Sequence, residues 1–180
     1  MNAIGEQSLP WFSAERVDVG PDLSLLVRDY SPLLYRVALS LLRNPAEAED
    51  VVQDVFVRVL QRKPQLGGIV DFRPWLVRIA WNLALDRRRR ARPIQMDEHF
   101  AASLVSANLP ADQALAEAGR IRSVLDAMER LPKHERQVLL LSAMDELSTA
   151  EIGAVLGKSE SSIRSLLFRA RTHLRQRLND

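Results

Sequence analysis

Ser148 and Glu151 stand three residues apart just ahead of Ile152, Val155 and Leu156, and Gly157 follows. That spacing predicts a capping box, one short helix with an apolar stripe, and a tight turn. Ser159 offers a second cap, and Ile163, Leu167, Ala170 and Leu174 then recur at helical spacing. The remaining faces of this second helix carry Ser161, Ser162, Arg164, Ser165, Arg169, Arg171, Arg175 and Arg177. Guanidinium forks and hydroxyls on one rigid helix can hold phosphates and hydrogen-bond to base edges. Two short helices at an angle, the second one basic, describe a helix-turn-helix that enters a DNA major groove. A helical hairpin with a basic outer face is the competing reading.

A second constellation lies near the middle of the chain. Phe72, Trp75 and Trp81 precede the run Arg87-Arg88-Arg89-Arg90. Rings next to arginines suit single-stranded nucleic acid, because bases stack on rings while guanidiniums hold phosphates. The same residues also fit tryptophans in a core and a helix end whose positive charge meets the macrodipole. Asn82 and Asp86, four apart, can read bases or hydrogen-bond to each other. A third group has the opposite sign. Glu49, Asp50, Gln53 and Asp54 share one helical face with the apolar Val57, and no base occurs from Glu47 to Asp54. A solvated face is the usual explanation of a charge run, while the single sign and the outward Val57 favour docking against a basic protein surface.

Enzyme constellations are missing. The chain has no cysteine, hence no thiol nucleophile, disulfide framework or thiolate zinc site. His134-Glu135 lacks the second histidine that a metalloprotease helix needs, and His99 and His173 stand far from it. No phosphate-cradling glycine loop occurs. No catalytic residue, metal or cofactor is expected, and neither is a membrane insertion, since no apolar run could span a bilayer and the N-terminus has no signal-peptide core. A soluble cytoplasmic protein is expected.

These side chains must be placed by helices. Leu, Ala, Arg and Glu dominate, and no alternating β-branched run appears, so an all-α fold is expected. The net charge of +2 conceals an uneven distribution. Seven arginines against Asp86 occupy 73–92, and six bases against Glu160 and Asp180 occupy 158–180. Two basic patches and one acidic patch imply two DNA contacts and one protein contact. Residues 1–22 read as an N-terminal extension. Residues 23–92 read as one helical domain, with a first helix that Pro32 should kink or break and that ends at Asn44-Pro45. The next helix, 46–60, has a buried stripe of Val52, Val55, Phe56, Val59 and Leu60, and a third, 73–90, buries Leu76, Ile79, Ala80 and Leu83. Residues 93–117, with Pro93 and Pro110, read as a flexible linker. Helical patterning resumes at Glu117, and 118–180 form the second small domain.

Taken together, these segments resemble the extracytoplasmic-function (group four) sigma factors of bacterial RNA polymerase. Ala48-Glu49-Asp50-Val51-Val52-Gln53-Asp54-Val55-Phe56-Val57-Arg58 is similar to the polymerase-binding segment of sigma region two. Phe72-Arg73-Pro74-Trp75-Leu76, with Ile79, Asn82, Leu83, Asp86 and the arginines, is similar to its promoter-melting part. Leu131-Pro132 with Arg136-Gln137-Val138, Glu151-Ile152 and Ser162 to Arg171 are similar to region four. The resemblance implies that Glu49, Asp50, Gln53, Asp54 and Val57 meet the clamp helices of the polymerase's largest subunit, and that region four meets the flap of the second-largest. It implies a flipped −10 base held by the loop from 62 to 71. It also implies −10 binding and melting by Phe72, Arg73, Trp75, Arg78, Trp81, Asn82, Asp86 and Arg87 to Arg90. For the −35 element it implies Lys158, Ser161, Ser162, Arg164, Ser165, Phe168, Arg169 and Arg171. Promoter DNA, core polymerase and an anti-sigma factor are the implied partners. A stand-alone helix-turn-helix regulator would need neither the acidic helix nor Trp75, and a sigma mimic that sequesters an anti-sigma factor would need no basic recognition face.

Overall fold

The computed structural model of the chain describes residues 22–62, 69–90, 104–105, 110–144 and 147–179. Among these residues are seven α-helices and no strand. The loop expected to hold a −10 base lies mainly, at 63–68, outside the described residues, as do 1–21 and most of the expected linker.

Three helices make the first bundle: α1 (Leu23–Leu42), α2 (Pro45–Gln61) and α3 (Phe72–Arg90). Asp22 caps α1 by accepting from the Ser24 amide at 2.9 Å. Arg43 closes it in the left-handed region at φ 54, its amide donating to the Leu39 carbonyl. Pro32 does not break α1, which runs continuously from Leu23 to Leu42. The proline lies on the solvent side, so the Arg28 carbonyl that loses its partner faces water. Pro45 takes the first position of α2, where a missing N–H costs nothing, and the Asn44 side chain accepts from the Glu47 amide at 3.2 Å. Asp71 accepts from the Arg73 amide at 3.0 Å and so starts α3.

The core of this bundle differs from the expected stripes. On α2 the buried residues are Ala48, Val51, Val55, Phe56 and Val59, whereas Val52 is half-buried and Leu60 is exposed. Val51-Val52 and Val59-Leu60 are adjacent apolar pairs, and the position of α1 and α3 decides which member of each turns inward. On α3, Val77, Trp81 and Ala84 join Leu76, Ala80 and Leu83 in the core, while Ile79 is only half-buried. Burying each Val, Leu or Phe of this set contributes about 1.5–3 kcal/mol relative to leaving it exposed.

The second bundle contains α4 (Ala111–Glu129), α5 (Lys133–Ser142), α6 (Thr149–Leu156) and α7 (Glu160–Asn179). Helix α4 starts six residues before Glu117, behind Pro110. Its first turns are alanine-rich, so propensity rather than an apolar stripe forms them, and only Ala127 is fully buried. Val138, Leu141, Ile152, Val155, Ile163, Leu167 and Ala170 form the core against which α7 lies. The capping box of α6 is complete: the Glu151 amide donates to Ser148 Oγ at 3.2 Å, and the Ser148 amide donates to Glu151 Oε2 at 2.7 Å. Gly157 ends α6 at φ 66, a conformation that glycine adopts without strain. Gly153 is needed for another reason, since a Cβ there would stand 2.7 Å from the Lys158 carbonyl oxygen.

The two bundles touch. Their buried residues form one continuous apolar cluster, in which α3 packs on α6 and α1 reaches α5.

Candidate nucleic-acid and protein interfaces

Helix α2 presents the acidic face outward. Glu49, Asp50 and Gln53 are exposed, Asp54 is half-buried, and Val57 is 49 % exposed beside them. Two of these carboxylates are nonetheless engaged. Arg87 reaches over from α3 and donates to Asp54 Oδ2 at 2.7 Å and to Asp50 Oδ2 at 3.3 Å. The hydrogen bond that Arg87 donates to Asp54 holds its guanidinium above the usual arginine range, with the bond to Asp50 adding to it against partial burial.

Helix α3 is more internally paired than its sequence implied. Trp81 is only 2 % exposed and belongs to the core, which corrects its assignment to DNA. Phe72 and Trp75 are half-buried with ring centroids 6.1 Å apart, edge to face. Arg78, Asn82 and Asp86 are exposed. Asp86 turns to Arg89, 3.5 Å away on the same helix, rather than to Asn82. Of the four consecutive arginines, Arg87 faces the acidic helix, Arg88 donates to Glu129 of α4, and Arg89 leans on Asp86; Arg90 is exposed.

Helix α7 is amphipathic as expected. Ile163, Leu167 and Ala170 face inward, and Ser161, Ser162, Arg164, Ser165, Arg169 and Arg171 face outward, with Lys158 half-buried in the turn before them. Phe168 stands 74 % exposed in the middle of this basic face. Two open grooves flank the helix. One, of about 440 Å³, is lined by His134, Lys158, Ser161, Ser162, Ser165, Leu166 and Arg169. The other, of about 380 Å³, is lined by Thr149, Arg164, Leu167, Phe168, Arg171, Thr172 and Arg175. A ridge of mixed guanidinium, hydroxyl and ring chemistry between two open grooves suits a major groove bounded by phosphates.

Side chains beneath the ridge fix its orientation. Glu160 accepts from Thr149 Oγ1 at 2.7 Å and from Arg164, and these bonds hold its carboxyl below the usual carboxylate range. Glu135 of α5 is buried at 6 % exposure and is met from α7 by His173 Nδ1 at 2.7 Å and by Arg169 Nε at 3.8 Å. Glu135 thus serves as an internal anchor for the basic helix, which its pairing with His134 in sequence did not suggest.

A further group that sequence reasoning missed lies where the bundles meet. Glu129, at the end of α4, accepts from Arg43 at 2.8 Å, from Arg88 at 2.9 and 3.0 Å, and from Arg136 at 2.7 Å. Burial pulls the Arg43 guanidinium below the usual range, opposed by the Glu129 carboxylate. Arg43 and Arg88 are 86 and 41 residues distant from Glu129, so no local spacing pointed to them, whereas Arg136 is seven residues away. Among the described residues, no group of three or more His, Cys, Asp or Glu side chains is placed to hold a metal, and no helix is long and apolar enough to cross a membrane.

This geometry can be compared with known proteins. A family model for Sigma-70 region 2 matches residues 26–94, and one for Sigma-70 region 4 matches residues 121–174. The chain is similar to the ECF RNA polymerase sigma factor SigW of Bacillus subtilis, with 30 % identity covering 86 % of this chain and 88 % of that relative. It is similar to SigL of Mycobacterium tuberculosis, with 31 % identity over the same shares of both chains. The probable RNA polymerase sigma factor RfaY of Xanthomonas campestris is 35 % identical over 79 % of this chain, which spans only 36 % of RfaY's length. Among solved structures, CnrH in complex with the cytosolic domain of CnrY superposes with a TM-score of 0.65 at 27 % identity, covering 87 % of each chain.

Proposed function

The chain belongs to the sigma-70 family as an extracytoplasmic-function RNA polymerase sigma factor, and on that premise we propose which of its surfaces meets which partner. The acidic face of α2 seats on basic clamp helices of core polymerase, and the second bundle rests on the polymerase flap. The outer face of α7 reads the −35 element. The exposed side of α3, with Phe72 and Trp75 at its start and arginines at its end, captures the separated −10 strand. The observation that carries this reading is that three chemically distinct faces, one acidic and two basic, lie on three different helices of one chain.

Strand opening then needs no nucleotide hydrolysis. Unstacking a base costs a few kcal/mol, and stacking on a ring with phosphate contacts offsets a similar amount. The chain itself supplies binding and orientation, and polymerisation belongs to its partner. We place it in the cytoplasm, where promoter DNA and polymerase are. An anti-sigma factor is a further partner, and CnrH, held by the cytosolic domain of CnrY, offers a parallel.

Run-off transcription with core polymerase tests the reading. A library of promoter fragments should yield discrete start sites without an ATP-hydrolysing activator, and silence on every fragment would refute it. In the same assay Arg164→Ala should weaken discrimination at one −35 position by about 1–3 kcal/mol if its guanidinium meets a base edge. Uniform loss on all sequences would make Arg164 a phosphate contact instead.

A further inference from the structure

We propose that the buried Glu135 is a positioning residue for DNA reading: it aims the Arg169 guanidinium into the groove beside α7, so that this side chain meets the −35 element already oriented. Glu135 lies in the first turn of α5, where the helix dipole favours its negative charge. Its side chain is 7 % exposed, yet both carboxylate oxygens are engaged by α7. Oε2 pairs with His173 Nδ1 at 2.7 Å, and Oε1 stands 3.8 Å from Arg169 Nε. Arg169 and His173 are four residues apart and so share one face of the helix. One carboxylate thus grips α7 at two successive turns.

A guanidinium held in this way has a definite direction. Arg169 is 55 % exposed and lines the groove that also holds His134, Lys158, Ser161 and Ser165. Its contact with Glu135 is made through Nε, which leaves the two terminal amino groups to meet a phosphate or a base edge. Arg164, on the same outer face, pairs instead with Glu160 at the surface, where water competes for both partners. Arg169 is therefore the guanidinium whose aim the interior controls.

Stability alone does not account for a carboxylate in this place. Val138, Leu139 and Leu141 of α5 are buried hydrophobics, and an apolar side chain of similar volume would fill the position without the cost of desolvating a charge. What the charge adds is orientation. An arginine on an open helix face spreads over many rotamers, and most of that freedom is lost when it meets DNA. Holding the side chain in advance removes part of that loss. The carboxylate also repels phosphates, but that effect is alike on every sequence and does not require Arg169. The positioning role rests on the assignment of α7 to the −35 element given above.

A mutant cycle on the full-length chain assembled with core polymerase separates these effects. Affinity for a promoter fragment mapped by run-off transcription is measured at fixed salt, with circular dichroism reporting the fold of each variant. Arg169→Ala should weaken binding about tenfold. Glu135→Gln keeps the shape and removes the charge. It should weaken binding about threefold or more in the parent, and not at all in the Arg169→Ala background. Equal losses in both backgrounds make Glu135 a purely structural residue and overturn the proposal. A folded Glu135→Gln chain that binds as tightly as the parent, or more tightly, overturns it too. If Arg169→Ala binds like the parent, the assignment of Arg169 to the −35 element fails, and the positioning role falls with it. A second measurement needs no change at Glu135. In the free parent, nitrogen relaxation at the arginine Nε–H groups should give Arg169 an order parameter above about 0.6, with Arg171 and Arg175 below it. An Arg169 as mobile as those two overturns the proposal even where Glu135→Gln does not fold.

Discussion

Trp81→Ala should destabilise the chain by about 3–5 kcal/mol, the range for emptying a large aromatic site in a packed core. The indole is among the largest fully buried side chains and lies in the α1–α2–α3 core. Domains are stable by only about 5–15 kcal/mol, so the variant should unfold at much lower urea and at a visibly reduced temperature. Trp75→Ala is the instructive contrast. Its ring is half-buried next to Phe72, so that truncation should cost far less stability and act instead on capture of the opened strand. Urea titrations of both variants decide the matter. If Trp81→Ala keeps its stability within about 1 kcal/mol yet loses single-strand binding, Trp81 works on DNA and its burial does not describe its role.

Charge reversal on α2 should have an effect of similar size on assembly. Replacing Asp50 and Asp54 together by arginine turns attraction toward a basic polymerase surface into repulsion, and like charges brought together across an interface cost several kcal/mol. A loss of about 100-fold in affinity for core polymerase corresponds to about 2.7 kcal/mol and is the expected minimum. Arg87 makes the substitution harsher, because it would then face two cations in place of two carboxylates. Equilibrium titration with core polymerase at fixed salt measures the loss, and Asp112→Arg on the exposed side of α4 serves as the control. Affinity within twofold of the parent for the double reversal would remove α2 from the docking surface.

The sequence carried the helix-turn-helix almost completely. Capping box, glycine turn and apolar period are all local signals, and each lies within four residues of its partner, so Ser148–Glu151, Gly157 and the Ile163–Leu167–Ala170 stripe could be read in advance. Helix α4 was legible only in part, because its early turns rest on alanine propensity and lack an apolar stripe. Trp81 was ambiguous for a different reason. An aromatic residue next to arginines looks the same in sequence whether it points inward or outward, and only the packing of α1 against α3 resolves it. Long-range ion pairs left no trace at all. Nothing near Glu129 or Glu135 announces guanidiniums or an imidazole that come from tens of residues away. Pro32 leaves α1 unbroken, and it sits on the exposed side, where the carbonyl that loses its partner can turn to water.

The unbroken apolar cluster has a thermodynamic consequence. Parting the bundles would wet the apolar surface where α3 packs on α6, and hydration of apolar surface raises heat capacity. The free energy of parting them should therefore be curved in temperature, with the apolar contribution weakening in the cold. Heating the isolated chain should register one cooperative endotherm, since neither half keeps its own boundary with water. Scanning calorimetry that resolves two separate transitions would mean that the halves melt as strangers and that their shared surface counts for little.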